Sequence, residues 1–552
     1  MLLYVLTFCL TLSVVHASLG ETRSFELNIT TERINPDCSD FYTQAVLING
    51  QLPGPALEAH QGDRVRVLVR NLLPNDTNNN ITIHFHGIRQ YGSVESDGVP
   101  YLTQHPILPG EVFLYDFQVV NQAGTFFYHA HVGMAELTAF GAFIVHEQAS
   151  ENNSNVNDYP EQTVMLSEWW HWSRRSLEQY LLGPEFDDIP EAESLLLNGR
   201  TIYHPEKIAA HCDGYTVMDV VAGRTNRIRV IGATTFRTYG FAIQQHNLTI
   251  IEVDGEPVKP YVVPFLEVAP GQRFSVLLHA DQEVKDYTIQ TIRRLAGGIN
   301  PQTNGLAVMS YNGKTKQEDF VLRSPPLEGS LFPTDEGRFW IWPELQPFYG
   351  VNPVVYMRPS RTIKLRTTEQ RMEDGRVRWF VNNMAFMEPK EPILTTIARG
   401  QRQAPDRRVF RETHGGYDPY LGTYPLEHYE VVDIVFQSTT KDKPCRSHPW
   451  HTHGHSHWEI ANGPGEYDHE RDRDIRNVKT PIEKDLTMVY PYPDPASTGR
   501  NGTFVGCGWS KIRIIADNPG IWAVHCHNTP HMLMGMMVVL EEAPQYIRTR
   551  SL

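Results

Sequence analysis

The sequence predicts an all-β protein, and two observations carry that reading. Short stretches alternate apolar and polar residues with period two, as in Arg64-Val65-Arg66-Val67-Leu68-Val69, the pattern of a half-buried strand. Turn formers punctuate the chain, with 40 Gly and 38 Pro in 552 residues, and aromatics reach 11%, as in many-stranded proteins with frequent turns. The length allows two to four domains with ample core.

Taken in order, residues 1–20 are apolar and uncharged, with Val15-His16-Ala17 as a cleavage site. They read as a secretory signal peptide, although its usual basic start is missing. Residues 21–150 carry alternating strands and two histidine runs, His84-Phe85-His86-Gly87 and His129-Ala130-His131. Residues 151–325 carry strands such as Arg227-Ile228-Arg229-Val230-Ile231 and Phe274-Ser275-Val276-Leu277-Leu278, but no such run. Residues 326–552 carry two more: His448-Pro449-Trp450-His451-Thr452-His453, and His525-Cys526-His527 followed by His531 and Met536. The polar stretch 151–158 and Ser324-Pro325-Pro326 read as linkers. No other apolar stretch is long enough to span a bilayer. The net charge of −15 argues against nucleic acid or an anionic membrane as partner.

The histidine spacing has a physical meaning. In a strand, His-x-His puts both imidazoles on one face. Four pairs occur, 84/86, 129/131, 451/453 and 525/527, and their eight nitrogens suit two or three metals. Zinc needs only three or four ligands, so this abundance points to several coppers and redox chemistry. Cys526, between His525 and His527, must face the other way. With His448, His531 and Met536 it makes two imidazoles, a thiolate and a weak axial thioether, the donor set of a blue-copper electron-transfer site. The backbone around Cys526 then links the two sites covalently. His455 and His457 read as supporting or surface groups. His146, His171, His204, His211 and His246 carry no pairing signal and read as structural.

Cysteine usage fits export. Cys9 leaves with the signal and Cys526 is a metal ligand, so four cysteines remain, which permit three pairings. Sequons at Asn28, Asn75, Asn80, Asn152, Asn247 and Asn501 suit a glycosylated secreted protein.

These runs resemble the copper signatures of the multicopper oxidases, most closely the ascorbate oxidase and laccase branch. Gly124-Thr125-Phe126-Phe127-Tyr128-His129-Ala130-His131 and Ala516-Asp517-Asn518-Pro519-Gly520-Ile521-Trp522-Ala523-Val524-His525-Cys526-His527 are especially similar to ascorbate oxidases. So are Ile48-Asn49-Gly50-Gln51-Leu52-Pro53-Gly54-Pro55 and Arg378-Trp379-Phe380-Val381-Asn382-Asn383. The resemblance implies three consecutive cupredoxin-like Greek-key β-sandwich domains and four copper ions. Because the first and third domains each contribute two His-x-His pairs, the cluster is expected between them, with the middle domain as a spacer and one wall of the substrate site. Type 1 copper would take His448, Cys526, His531 and Met536; type 2, His84 and His451. One type 3 copper would take His86, His129 and His527, the other His131, His453 and His525. The resemblance also implies the disulfide Cys38–Cys212, which leaves Cys445–Cys507.

By the same resemblance, a small reductant gives single electrons to type 1 copper at an exposed edge of His531, and four electrons reduce O2 to two waters. Trp379, with Trp170 or Trp169, matches tryptophans that stack on substrate. Asp97 matches an acidic position near the cluster. The chain departs from relatives that read His-Cys-His-Ile-Glu-Pro-His, because Asn528 and Thr529 replace the apolar residue and the carboxylate. A hydroxyl can relay a proton but cannot store one at neutral pH. Ascorbate, related enediols and phenols rank above ferrous iron, since a ferroxidase's acid four residues before the first type 1 histidine is Pro444 here. A copper-storage protein would need no electron path between distinct sites.

Overall fold

The computed structural model describes residues 20–547 except 77, 148–158, 210, 296–304, 312–328, 334–341, 413–414 and 495–501. The expected signal peptide up to residue 19, both expected linkers, Asn152 and Asn501 lie outside the described residues. The chain is mostly β, as three cupredoxin-like domains. Its strands form six sheets, of four and four, six and five, and six and five strands in chain order.

In the first pair, Thr22–Ile34 lies antiparallel to Thr43–Ile48 and parallel to Arg64–Asn71. Arg64–Asn71 buries alternate residues, so Val65, Val67 and Val69 point inward while arginines face water. The facing sheet runs Gly54–His60, Phe140–His146, Gly124–Ala130, Ile83–His86. One core takes Val65 and Val67 from the first sheet and Phe85, Tyr128 and Phe143 from the second, which makes a sandwich. Parallel pairing of an opening strand recurs in the second domain, Glu161–Trp169 on Thr225–Gly232, and in the third, Arg361–Arg371 on Val431–Thr440.

The functional strands are buried on both faces. Gly520–Cys526 has no exposed residue and sits centrally between His448–Thr452 and Met537–Glu542. Cys38–Cys212 ties the first domain to the second, and Cys445–Cys507 braces the segment before His448. No helix among the described residues is long and apolar enough to cross a membrane.

Candidate metal centre

Strand register assembles the histidines. In the first domain His84 stands opposite His129 on adjacent antiparallel strands. In the third, His451 stands opposite His525. The two halves meet face to face: the His86 ring stacks on His451 with centroids 3.8 Å apart, and His84 on His453 at 4.0 Å. Ligand atoms converge in four groups: His84/His86/His451, His86/His129/His527, His131/His453/His525, and His448/Cys526/His531. A fifth joins His84 and His453 to Asp97.

The ring nitrogens divide their work. His84 Nδ1 donates to the Asp97 carbonyl (2.6 Å), His129 Nδ1 to the Ala130 carbonyl (3.0 Å) and His451 Nδ1 to the Asp485 carbonyl (2.9 Å). His453 Nδ1 donates to Asp97 Oδ2 (2.9 Å) and His525 Nδ1 to the Cys526 carbonyl (3.0 Å). The Nε2 atoms of His84, His129, His131 and His451 are left buried without a hydrogen-bond partner. His453 Nε2 and His525 Nε2 sit 3.1 Å apart. His86 is reversed: its Nε2 donates to Asp485 Oδ1 (3.2 Å), and its Nδ1 lies 3.1 Å from His527 Nε2. Buried acceptor nitrogens with no donor are costly unless something electrophilic completes them. Burial also pushes the pKa values of His86, His129, His131, His451, His453, His525 and His527 down, so they are neutral imidazoles ready to ligate. The residues therefore fit copper.

The fourth group has a different chemistry. Cys526 Sγ lies 3.7 Å from His448 Nδ1 and 3.6 Å from His531 Nδ1. One ion bound trigonally at about 2.0–2.3 Å would hold sulfur and nitrogen about 3.7 Å apart. Burial raises the Cys526 thiol pKa, so a thiolate there requires a cation. Met536 is fully buried, and its carbonyl accepts the Cys526 N–H at 3.1 Å.

The surroundings correct one expectation. His531 offers no exposed edge: it is 1% exposed and its Nε2 is buried without a partner. Trp379 lies 4.6 Å from the His531 ring and 5.1 Å from His448, and Phe236 packs edge-on at 6.2 Å. Trp379 and Trp170 are buried in one cluster with Phe186 and Ile189, so the aromatic wall is closed over. Trp170 Nε1 donates to the Pro190 carbonyl (3.1 Å). Trp169 belongs to another cluster, with Ala45, Leu47 and Leu196.

Three carboxylates surround the eight histidines. Asp97 is completely buried, on a turn where Gly98 is obligatory because a Cβ would lie 1.9 Å from the Ile83 carbonyl oxygen. The other two carried no motif. Asp485 sits between the short strands Glu483–Lys484 and Leu486–Val489, and Glu136 follows His129 by seven residues without pattern. Glu136 Oε1 lies 3.1 Å from His129 Nδ1, and Glu136 Oε2 accepts the Thr529 hydroxyl at 2.8 Å. The carboxylate missing at Thr529 thus stands beside it on another segment. Burial pushes Glu136 up to about 8. The departure at Thr529 was the only sequence signal that a substitute carboxylate was needed. His455 and His457 are buried supports, bonded to Glu542 and to Thr452 and Thr487 respectively.

Three family profiles, each described as a multicopper oxidase, match residues 28–150, 161–314 and 386–546. The L-ascorbate oxidase of Cucurbita maxima is 31% identical over 93% of this chain and 88% of its own length. Laccase-6 of Arabidopsis thaliana is 29% identical over 93% of this chain and 90% of its own. Among solved structures, Fet3p, described as a multicopper oxidase that functions in iron import, aligns with a TM-score of 0.78 at 27% identity, covering 96% of this chain and 93% of that one. The laccase of Botrytis aclada aligns at 0.77 and 26% identity, covering 96% and 89%.

Proposed function

Because the chain belongs to the multicopper oxidase family, a family of copper oxidoreductases that use O2, we propose that it oxidises small organic reductants, ascorbate or related enediols and phenols, outside the cell. The observation that carries this reading is the pairing of a buried Cys/His/His group with eight converged histidines on opposite faces of one strand. When bound, one type 1, one type 2 and two type 3 coppers supply the one-electron steps and the reduction of O2 to two waters.

The chain's own residues do the rest. His448, Cys526, His531 and Met536 hold the electron-accepting ion in an apolar pocket. With copper bound, Cys526 would supply a covalent path for electrons along the backbone to His525 and His527. His84 and His451 hold type 2 copper; His86, His129 and His527 hold one type 3 ion, and His131, His453 and His525 the other. Asp97, on both His84 and His453, delivers protons. Trp379 and Trp170 form the reductant's wall, which requires local opening because both rings are buried.

Organic reductants are favoured over ferrous iron by charge. Arg446 acts on both His448 and His531, but Asp188 is paired to Arg446, and Glu191 to Arg237. No free carboxylate is offered there by these groups. A laccase-type preference for phenols would use the same wall. Export is supported by the two disulfides, the apolar start and the exposed Asn75 and Asn247. The three sheet pairs support domain divisions at 21–150, 151–325 and 326–552.

The test is oxygen uptake by the copper-loaded protein with ascorbate, a methoxyphenol and ferrous iron side by side. Ascorbate should be fastest. Faster uptake with ferrous iron would reverse the substrate reading, and none with any donor would make the protein a copper binder.

A further inference from the structure

The middle domain supplies none of the ligand residues, yet it reaches the cluster. Its turn at Gly271 touches two histidines from the other domains: a Cβ there would lie 2.7 Å from His86 Cε1 and 2.9 Å from His527 Cδ2. Gly271 also has φ +84, so glycine is needed twice over. Two residues on, Arg273 is fully buried and grips Asp485 of the third domain with a bidentate fork, Nη1 to Oδ1 at 2.8 Å and Nη2 to Oδ2 at 2.6 Å. The same guanidinium donates from Nε to the Thr125 carbonyl of the first domain (3.1 Å) and from Nη1 to the Gly271 carbonyl (3.0 Å). One side chain thus binds all three domains.

Asp485 is what the fork holds in place. Its Oδ1 accepts from His86 Nε2, and its carbonyl accepts from His451 Nδ1. The first bond explains why His86 alone turns Nδ1 toward the cluster while His84, His129 and His451 turn Nε2. We propose that Arg273 is a positioning residue for the oxygen-reducing centre: its grip on Asp485 fixes the tautomer and orientation of His86 and the placement of His451, so the ligand-free middle domain sets the geometry of the cluster. This rests on the ligand reading above. A fork fixes both carboxylate oxygens, whereas an ammonium is a point charge that fixes neither direction. Partners that orient ligating histidines in this way are worth about 10–100-fold in metal affinity.

The experiment compares the parent with Arg273→Lys, which keeps the charge but loses the fork, and with the near-isosteric Asp485→Asn. Copper per chain, the blue absorption and the copper EPR spectrum are read after loading with copper alone. The parent should take up about four ions. Both variants should keep the blue band, yet hold cluster copper about 10–100-fold more weakly, with the non-blue EPR signal altered. Parent-like loading and spectra in both variants would overturn the clamp while leaving the ligand reading intact. Equal loss of blue band and thermal stability would make Arg273 a core residue only, which also overturns it. A parent that binds no more than one copper would instead remove the ligand reading itself.

Discussion

The two metal sites lie back to back on one strand but are built from opposite materials. Around His448 and His531 stand a thiol, Trp379 and Phe236. Around the eight histidines stand Asp97, Asp485 and Glu136. An electron can enter an apolar, rigid site without moving a proton, and dry surroundings hold its ligands in one geometry. Reducing O2 to water consumes protons and changes charge, which a ring of hydrogen-bonding carboxylates can compensate. Under the proposed function, electron handling falls to one face of Gly520–Cys526 and proton handling to the other.

The largest break in that division is Cys526→Ser. It should abolish the blue absorption and reduce turnover to background, while the eight histidines still hold copper. Retained colour would mean that Cys526 is not the type 1 ligand. Asp97→Asn attacks the other side. Asparagine keeps an oxygen for His453 Nδ1, so ligand orientation survives, but it cannot deliver a proton. Reoxidation of the fully reduced enzyme by O2 should slow by about 10²–10⁴-fold, with reduction of type 1 copper by substrate nearly unchanged. Reoxidation as fast as the parent's across pH would remove Asp97 from proton delivery.

Much of this was legible in the sequence because the signal is periodic. His-x-His at period two states that both rings share a strand face, and the intervening Cys526 states that a second site lies behind. Those relations survive any arrangement of the sheets. What was not legible depended on contacts between distant segments. Asp485 and Arg273 have ordinary strand neighbours and meet only when the second and third domains pack. Glu136 could be sought only through the anomaly at Thr529. The closing of the reductant site over His531 was invisible, because Trp379 and the residues buried in one cluster with it, Phe186 and Ile189 of another domain among them, are far apart in sequence. The middle domain, expected as a spacer, contributes Arg273 and the Gly271 turn.

Trp379→Ala sharpens the apolar half of the comparison. The ring is buried against both type 1 histidines, so its loss should cost about 3–5 kcal/mol of stability. If it is also the reductant's wall, ascorbate turnover should fall more than electron transfer from a small outer-sphere reductant, measured on the same loaded sample. Equal losses for the two donors would leave Trp379 with packing alone.

The smallest expected effect tests the carboxylate half at its most unusual point. Glu136 and Thr529 come from different domains, and the 2.8 Å bond from Thr529 Oγ1 to Glu136 Oε2 is buried. Thr529→Val keeps the shape and removes the donor, leaving a buried carboxyl oxygen without its partner, which should cost about 1–3 kcal/mol. Glu136→Met fills much of the same space and removes both the acid and the acceptor of the Thr529 hydroxyl. Thermal unfolding of the copper-free parent, both single variants and the double variant closes a cycle. If the carboxylate has moved from position 529 to position 136 and is held there by the hydroxyl, the two changes should couple by about 0.5–3 kcal/mol. Strict additivity would mean that Glu136 is placed by His129 and its own segment, and that Thr529 merely fills the space.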